Sequence, residues 1–433
     1  MYRPFNTAQT KGCRVRADST LASSFVKVIA LTKHSSNLIN WYTMKFMQFP
    51  YSTGLAVTTF LLGLQGVNCE SGFDEVEHYE VPTFTISDLQ NGSRDSDFFD
   101  TLTTTGLLAI RVPANEPTNV LSELCDCIDS IGPEIHGGDT VLLADGLTTR
   151  STIATATKGT DEPLPLPKND INKMCGMKAY SNFERARDYV SHATSDAFIP
   201  ALDRMIEGLS TSTNPILKNR NGKGYSSISS IVADAVNLEH FHSYSKQLSG
   251  NIEERAVVDE TLSWHTDGGL FLAFLPGQSC NDDKKDESFR LKLHGSNTEA
   301  KAIFPEPLNG DVVVAIMLGA GAEQWLDTPE SLRLRATRHA VKMGGGEERA
   351  WYGMMHLVAS DAIVQVSPSE LTFSEFKKTS SHTRGRRFSD TAQPDEIVVG
   401  CGNHNVSESP LATNDFSVTA RRRLQHVGKF SCV

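Results

Sequence analysis

At 433 residues the chain exceeds one ordinary domain, although one large β-rich domain with extensions also fits that length. Its formal net charge of -11 and pI near 5.6 exclude a general electrostatic attraction to nucleic acid or anionic lipid, because both need a basic surface. The basic runs Arg384-Gly-Arg-Arg387 and Arg421-Arg-Arg423 sit in polar surroundings and read as solvated tail, which leaves a protein directed at small molecules.

Residues 1–43 are polar and basic. Met44-Lys-Phe-Met then leads into the apolar run from Gly54 to Val67, too short for a stable membrane span but of signal-peptide h-region length. Val67-Asn-Cys69 offers small residues before a cleavage at Glu70, so residues 1–69 are expected to be a targeting segment, with Met44 as functional start and the secretory pathway as destination. If residues 44–69 are not a signal peptide, the expectation is cytoplasmic. Cleavage there would leave Cys125, Cys127, Cys175, Cys280, Cys401 and Cys432, enough for three disulfides whose pairing the spacing does not settle.

Residues 70–230 form an N-terminal extension with helices. Tyr79–Ile86 alternates like a short strand, and Ser87-Asp88 reads as the start of a polar turn. Asp95–Thr104 reads as a helix, and Gly106–Val112 as a buried strand ended by Pro113. Asn119–Ile131 and Phe183–Leu209 repeat apolar residues at helical spacing, and Lys158–Lys168 is a Pro-rich loop. From residue 231 to 366 the pattern changes to short strands, predicted at Val236–Tyr244, Leu262–Phe274, Asp311–Leu318, Leu332–Val341 and Arg349–Val358. That spacing argues for a sandwich or barrel. Gln278–Lys292 reads as an exposed insertion, and 367–433 as a mostly irregular tail.

The chemistry-bearing stretch is Leu262-Ser-Trp-His-Thr-Asp-Gly-Gly-Leu270. On a strand, residues two apart share a face, so His265 and Asp267 project together while Thr266 points away. Two His and one carboxylate on one face of a metal make a non-haem iron(II) site with open positions. The third ligand has to come from elsewhere. His339 closes the strand-like run Leu332–Val341, and Arg349 follows ten residues later. No phosphate-binding loop, nucleophile elbow or H-E-x-x-H helix occurs, so nucleotide and hydrolase readings lose support.

Taken in order, His265-Thr-Asp-Gly-Gly, Gly310-Asp-Val-Val-Val through Gly319, Arg338-His-Ala-Val341 and Arg349 resemble the isopenicillin N synthase-like branch of the iron(II)- and 2-oxoglutarate-dependent oxygenases. The opening Val81–Asp88 and Gly106–Ile110 extend the resemblance over roughly Tyr79 to Val364. It implies a mainly β, α+β fold with a double-stranded β-helix (jelly-roll) core behind an N-terminal helical and strand extension. It implies Fe(II) on His265, Asp267 and His339, and 2-oxoglutarate held by Arg349, with Tyr244 also reaching that co-substrate. Dioxygen and a small organic molecule would be the remaining partners, and the outcome hydroxylation or desaturation. Two departures stand out: the family's Arg-x-Ser is Arg349-Ala-Trp351 here, and its N-x-Y-P is His242-Ser-Tyr-Ser245. An iron oxidase of this fold that does not use 2-oxoglutarate, and a non-catalytic jelly-roll binding protein, are the alternatives.

Overall fold

The computed structural model describes residues 77–114, 120–131, 138–143, 145–158, 162–163, 168–210, 214–248, 260–280, 287–294, 298–308, 310–366, 369–383 and 397–398. The expected targeting segment, Met44, Cys401 and Cys432 lie outside them. The described residues belong to one compact unit.

Its centre is eight antiparallel strands divided between two sheets, the chain crossing from one to the other except at the hairpin of the fourth and fifth. In chain order these are Val236–Lys246, Leu262–Asp267, Phe271–Ser279, Phe289–Lys292, Glu299–Ile303, Asp311–Leu318, His339–Val341 and Glu348–His356. The first, third, sixth and eighth are neighbours in the larger sheet, and the second, fourth, fifth and seventh in the smaller. This one-sheet-then-the-other winding is a double-stranded β-helix, and with its flanking helices the fold class is α+β. The sheets pack face to face: Phe274 of the larger meets Phe289 of the smaller with ring centroids 6.0 Å apart, and Tyr244 clusters with Val341 and Met343.

The N-terminal part widens the larger sheet. Thr83–Thr85 and Leu107–Pro113 add at one edge beside Asp311–Leu318, and Thr148–Lys158 and Gly138–Leu142 add at the other beside Val236–Lys246. The helix Met177–Ala193, a π-type turn at Thr194–Phe198 and the helix Ile199–Leu209 cover its outer face, where Phe183 meets Phe241 and Phe198 meets Phe271 edge to face. Gly106 permits a close approach there. Its φ of 67° is left-handed, and a Cβ would lie 1.9 Å from the Arg335 carbonyl oxygen.

Several expectations need correction. Ser87-Asp88 is not a turn but lies inside a helix, Ile86–Asn91, started by a capping box in which Thr85 and Asp88 each satisfy the other's backbone N–H. The run Leu262–Phe274 is two strands, broken at Gly268–Leu270 as the chain crosses between sheets. Only His339–Val341 of Leu332–Val341 pairs as strand. Thr148–Lys158, at eleven residues one of the longest strands, went unread because its alternation is between polar residues. The tail starts with order: Ser369–Thr372 pairs with Ile363–Val366, and the helix Phe373–Thr383 packs Phe373 and Phe376 on Trp325. Its Thr372/Glu375 pair is a capping box present in the sequence. Both ends of the Gln278–Lys292 stretch lie in or beside strands, and residues 281–286 fall outside the described residues.

Two disulfides are present: Cys125–Cys280 ties the extension to the jelly-roll core, and Cys127–Cys175 lies within the extension. Among the described residues no helix is long and apolar enough to cross a membrane.

One buried group sets a pH dependence. His356 is fully buried, stacks on Phe271 at 4.3 Å, and neither ring nitrogen has a hydrogen-bond partner among the described residues. Burial pushes its pKa down to about 3. Below the ordinary value of about 6.5 the unfolded chain takes up a proton that the folded chain refuses, so stability falls with pH through that window, by about 2 kcal/mol at pH 5. His356→Phe keeps the stack and removes the titration. Urea unfolding at pH 7 and pH 5 is expected to show a smaller acid loss in the variant; equal losses would refute the assignment.

Candidate metal centre

The strand Leu262–Asp267 and the strand His339–Val341 are antiparallel neighbours with His265 directly opposite His339. A register irregularity between Leu262 and His265 separates that pair from the Leu262–Val341 pair. The His265 and His339 ring centroids are 4.2 Å apart, and His265 Nε2 lies 3.8 Å from Asp267 Oδ1. One donor atom from each of His265, Asp267 and His339 falls within 4.8 Å of the others. Among the described residues this is the group of three or more His, Cys, Asp or Glu arranged to hold a metal ion.

The ring nitrogens are oriented for ligation. His265 Nδ1 lies 2.7 Å from the Ser263 carbonyl oxygen, and His339 Nδ1 3.2 Å from that of Thr337. A carbonyl only accepts, so each Nδ1 carries the proton and donates it, which leaves the Nε2 lone pair for a metal. The same device, a carbonyl two residues before the histidine, serves both.

Asp267 supplies the complementary signal. It is buried, and its Oδ2 has no hydrogen-bond partner among the described residues. Burial pushes its pKa up, with His265 opposing, and pushes that of His339 well down, reinforced by His265. A buried carboxyl short of hydrogen-bond partners is costly by itself. A divalent cation removes the cost by taking both lone pairs and the carboxylate. The residues fit a divalent ion of the iron type, with two nitrogens and one oxygen on one side and no thiolate. Donors at about 2.0–2.2 Å from one ion lie about 3 Å apart, so closure takes about 1–2 Å of side-chain movement.

Close approach of the main chain holds Asp267. A Cβ at Gly319 would meet the carbonyl oxygens of Gly269 at 2.4 Å and Asp267 at 2.7 Å, so only glycine lets the end of Asp311–Leu318 pass behind the ligand. Behind His339, Phe289 stacks on its ring at 5.3 Å and 9°.

Arg349 and Tyr244 lie directly opposite each other on adjacent strands of the larger sheet. Both are buried, with the guanidinium carbon 5.6 Å from the Tyr244 ring centroid. The structure therefore brings Arg349 and Tyr244 together as a pair, and His265, Asp267 and His339 as a triad. Trp351, two residues on, does not supply a hydroxyl: it stacks on His242 at 5.2 Å. The hydroxyl beside Arg349 comes instead from Ser288, whose Oγ accepts from Arg349 Nη1. Sequence reasoning missed Ser288, since it stands 61 residues from Arg349 inside a stretch read as an exposed insertion.

No family model matches the sequence, and no curated protein does. Among solved structures the chain is similar to the dioxygenase for auxin oxidation from rice, with a TM-score of 0.46 and 12% identity over 71% of this chain and 96% of that one. It is also similar to dioxygenase for auxin oxidation 1 from Arabidopsis thaliana, in a complex with 2-oxoglutarate, with a TM-score of 0.42 and 12% identity over 68% of this chain and 97% of that one. Likeness at this level concerns the chain path; ligand and reaction have to be read from the side chains themselves.

Proposed function

We propose that this chain is a non-haem Fe(II)- and 2-oxoglutarate-dependent dioxygenase that hydroxylates or desaturates a small organic substrate. The observation that carries the reading is the convergence of two carbonyl-oriented imidazoles with the partner-poor buried carboxyl of Asp267. His265, Asp267 and His339 would hold Fe(II). Bound there with 2-oxoglutarate and dioxygen, the iron supplies oxidative decarboxylation to succinate and CO2 coupled to oxidation of a C–H bond.

The protein's own groups bind and orient. Arg349 presents a permanently charged planar fork suited to the distal carboxylate of 2-oxoglutarate. Tyr244 packs beside it, and the Ser288 hydroxyl fixes its Nη1 from the other sheet. The apolar cluster of Leu143, Tyr244, Val341 and Met343 keeps water from that end of the barrel and strengthens the ion pairing.

Anaerobic Fe(II) titration with and without 2-oxoglutarate, read by the metal-to-ligand charge-transfer band, tests this. The band is expected only when both are present. Iron binding without a band would favour an oxidase that does not use 2-oxoglutarate; no iron binding would favour a non-catalytic jelly-roll binding protein.

The two disulfides support an oxidising compartment, consistent with the secretory expectation. Thiol labelling of the protein from its native source before and after reduction tests this. Cys125, Cys127, Cys175 and Cys280 are expected to label only after reduction; labelling before it would sink the idea.

A further inference from the structure

Away from the metal centre, a cavity of about 240 Å³ lies where Val236 opens its strand and Val358 follows the end of the neighbouring strand Glu348–His356. That is below the roughly 300–1,000 Å³ of pockets for drug-sized ligands, which suits a smaller molecule. None of His265, Asp267, His339, Arg349 and Tyr244 lines it. Tyr244 stands eight residues along the Val236 strand, roughly 26 Å away at the rise of an extended chain.

Bonds between distant parts of the chain hold its walls together. The Arg220 backbone N–H donates to the Asp361 carbonyl at 2.9 Å, and the Arg220 guanidinium pairs with Glu375 of the helix Phe373–Thr383 at 2.7 Å. Phe373 and Lys377, one helical turn apart on one face, both line the cavity. Of the acids on its walls, Asp234 is engaged by Lys223 and by the Tyr225 hydroxyl. Asp361 is different. The side-chain amides of Asn219 and Asn221 both donate to its Oδ2, at 3.0 and 3.2 Å, while its Oδ1 has no hydrogen-bond partner among the described residues. Lys377 rests its ammonium 4.9 Å from the Phe373 ring centroid and makes no ion pair among the described residues. The cavity thus presents one open carboxylate oxygen and one ammonium that do not pair with each other.

We infer that this cavity binds a small zwitterion of the α-amino-acid class, with its ammonium on Asp361 Oδ1 and its carboxylate on Lys377. The site stands apart from the proposed function and does not depend on it. The reasoning is electrostatic. A simple anion answers only Lys377 and a simple cation only Asp361, whereas a molecule carrying both charges a few bonds apart makes a charge-assisted contact with each. The two asparagines hold Asp361 in place, so little ordering is left for the ligand to impose. Val236, Val358 and Phe373 give the walls apolar surface for a hydrocarbon side chain.

The test titrates the full chain by calorimetry with L-leucine as probe. The controls are L-leucinamide, which lacks the carboxylate, and 4-methylpentanoate, which lacks the ammonium. Each titration is run on metal-free protein and on protein loaded with Zn(II) and 2-oxoglutarate, so that chelation at the metal shows as a difference between the two. L-leucine is expected to bind equally in both states and more tightly than either control. Asp361→Asn is expected to weaken L-leucine at least tenfold and to erase its advantage over 4-methylpentanoate, as loss of one charge-assisted contact predicts. Lys377→Gln is expected to weaken it at least threefold, a smaller effect because Lys377 is exposed, and to erase the advantage over L-leucinamide. That exposed helix position also keeps the test decisive where Asp361→Asn fails to fold. No L-leucine binding to wild type, equal binding of either control, binding that requires the metal, or unchanged affinity in either folded variant would each overturn the inference. A chain that takes neither iron nor 2-oxoglutarate would overturn the proposed function and leave the metal-free titrations to decide this site alone.

Discussion

His339→Ala is expected to abolish Fe(II) binding, and Asp267→Asn to weaken it by well over the roughly 10–100-fold that loss of an outer-sphere partner costs. Each removes one of three donors from a group whose atoms converge within 4.8 Å. The apo protein is expected to behave differently. Asp267 Oδ2 lacks a partner among the described residues and burial disfavours its charge, so an amide there costs no more to bury than the carboxylate. Asp267→Asn should therefore keep or raise the melting temperature of the metal-free chain while losing the rise that Fe(II) produces in wild type. Equilibrium dialysis gives the first quantity and thermal unfolding the second. Retained iron binding in both variants would eliminate the triad as the metal site.

The second large effect concerns stability rather than chemistry. Arg187 of the covering helix makes two bonds to buried Glu239, at 2.7 and 2.6 Å, and Tyr352 donates to the same carboxylate at 2.8 Å. Glu239 lies on the strand that carries Tyr244 and His242, with its side chain on the opposite face. This network thus pins the helix to the back of the site. Arg187→Met leaves the carboxylate buried without its cation and is expected to cost about 3–5 kcal/mol. Arg187→Met combined with Glu239→Leu removes both charges and should recover most of that loss. Denaturant unfolding of both variants decides. A single variant costing under about 1 kcal/mol, or a double variant no better than the single, would contradict the account.

Much of the site was legible in the sequence because strand geometry is local. On a strand, a spacing of two places His265 and Asp267 on one face, while Arg338-His-Ala-Val341 was picked out by its resemblance to the family's motif. The strand Asp311–Leu318 and the helix Asp95–Thr104 are predicted to the residue, the first a continuous apolar run buried on both faces and the second with Phe98, Thr101 and Leu102 at helical spacing. Capping boxes at Thr85/Asp88 and Thr372/Glu375 were equally local, yet were read as a turn and as tail. Polar clusters before short helices resemble loops unless the reciprocal spacing is checked.

By itself, then, the sequence determined which residue types face together along each strand: His265 and Asp267 on one, His339 on a second and Arg349 on a third, while strand spacing argued for a sandwich or barrel and the jelly roll followed only from the family resemblance. Tertiary structure alone decided who meets across strands. The Ser288 hydroxyl on Arg349, the Tyr244–Arg349 pair, the Cys125–Cys280 and Cys127–Cys175 pairings, and the Ser263 and Thr337 carbonyls that orient the imidazoles all depend on position in the assembled sheets. Periodicity reports a face, which is a property of a few consecutive residues. Register reports a partner, and it is set by the packing of all the strands at once.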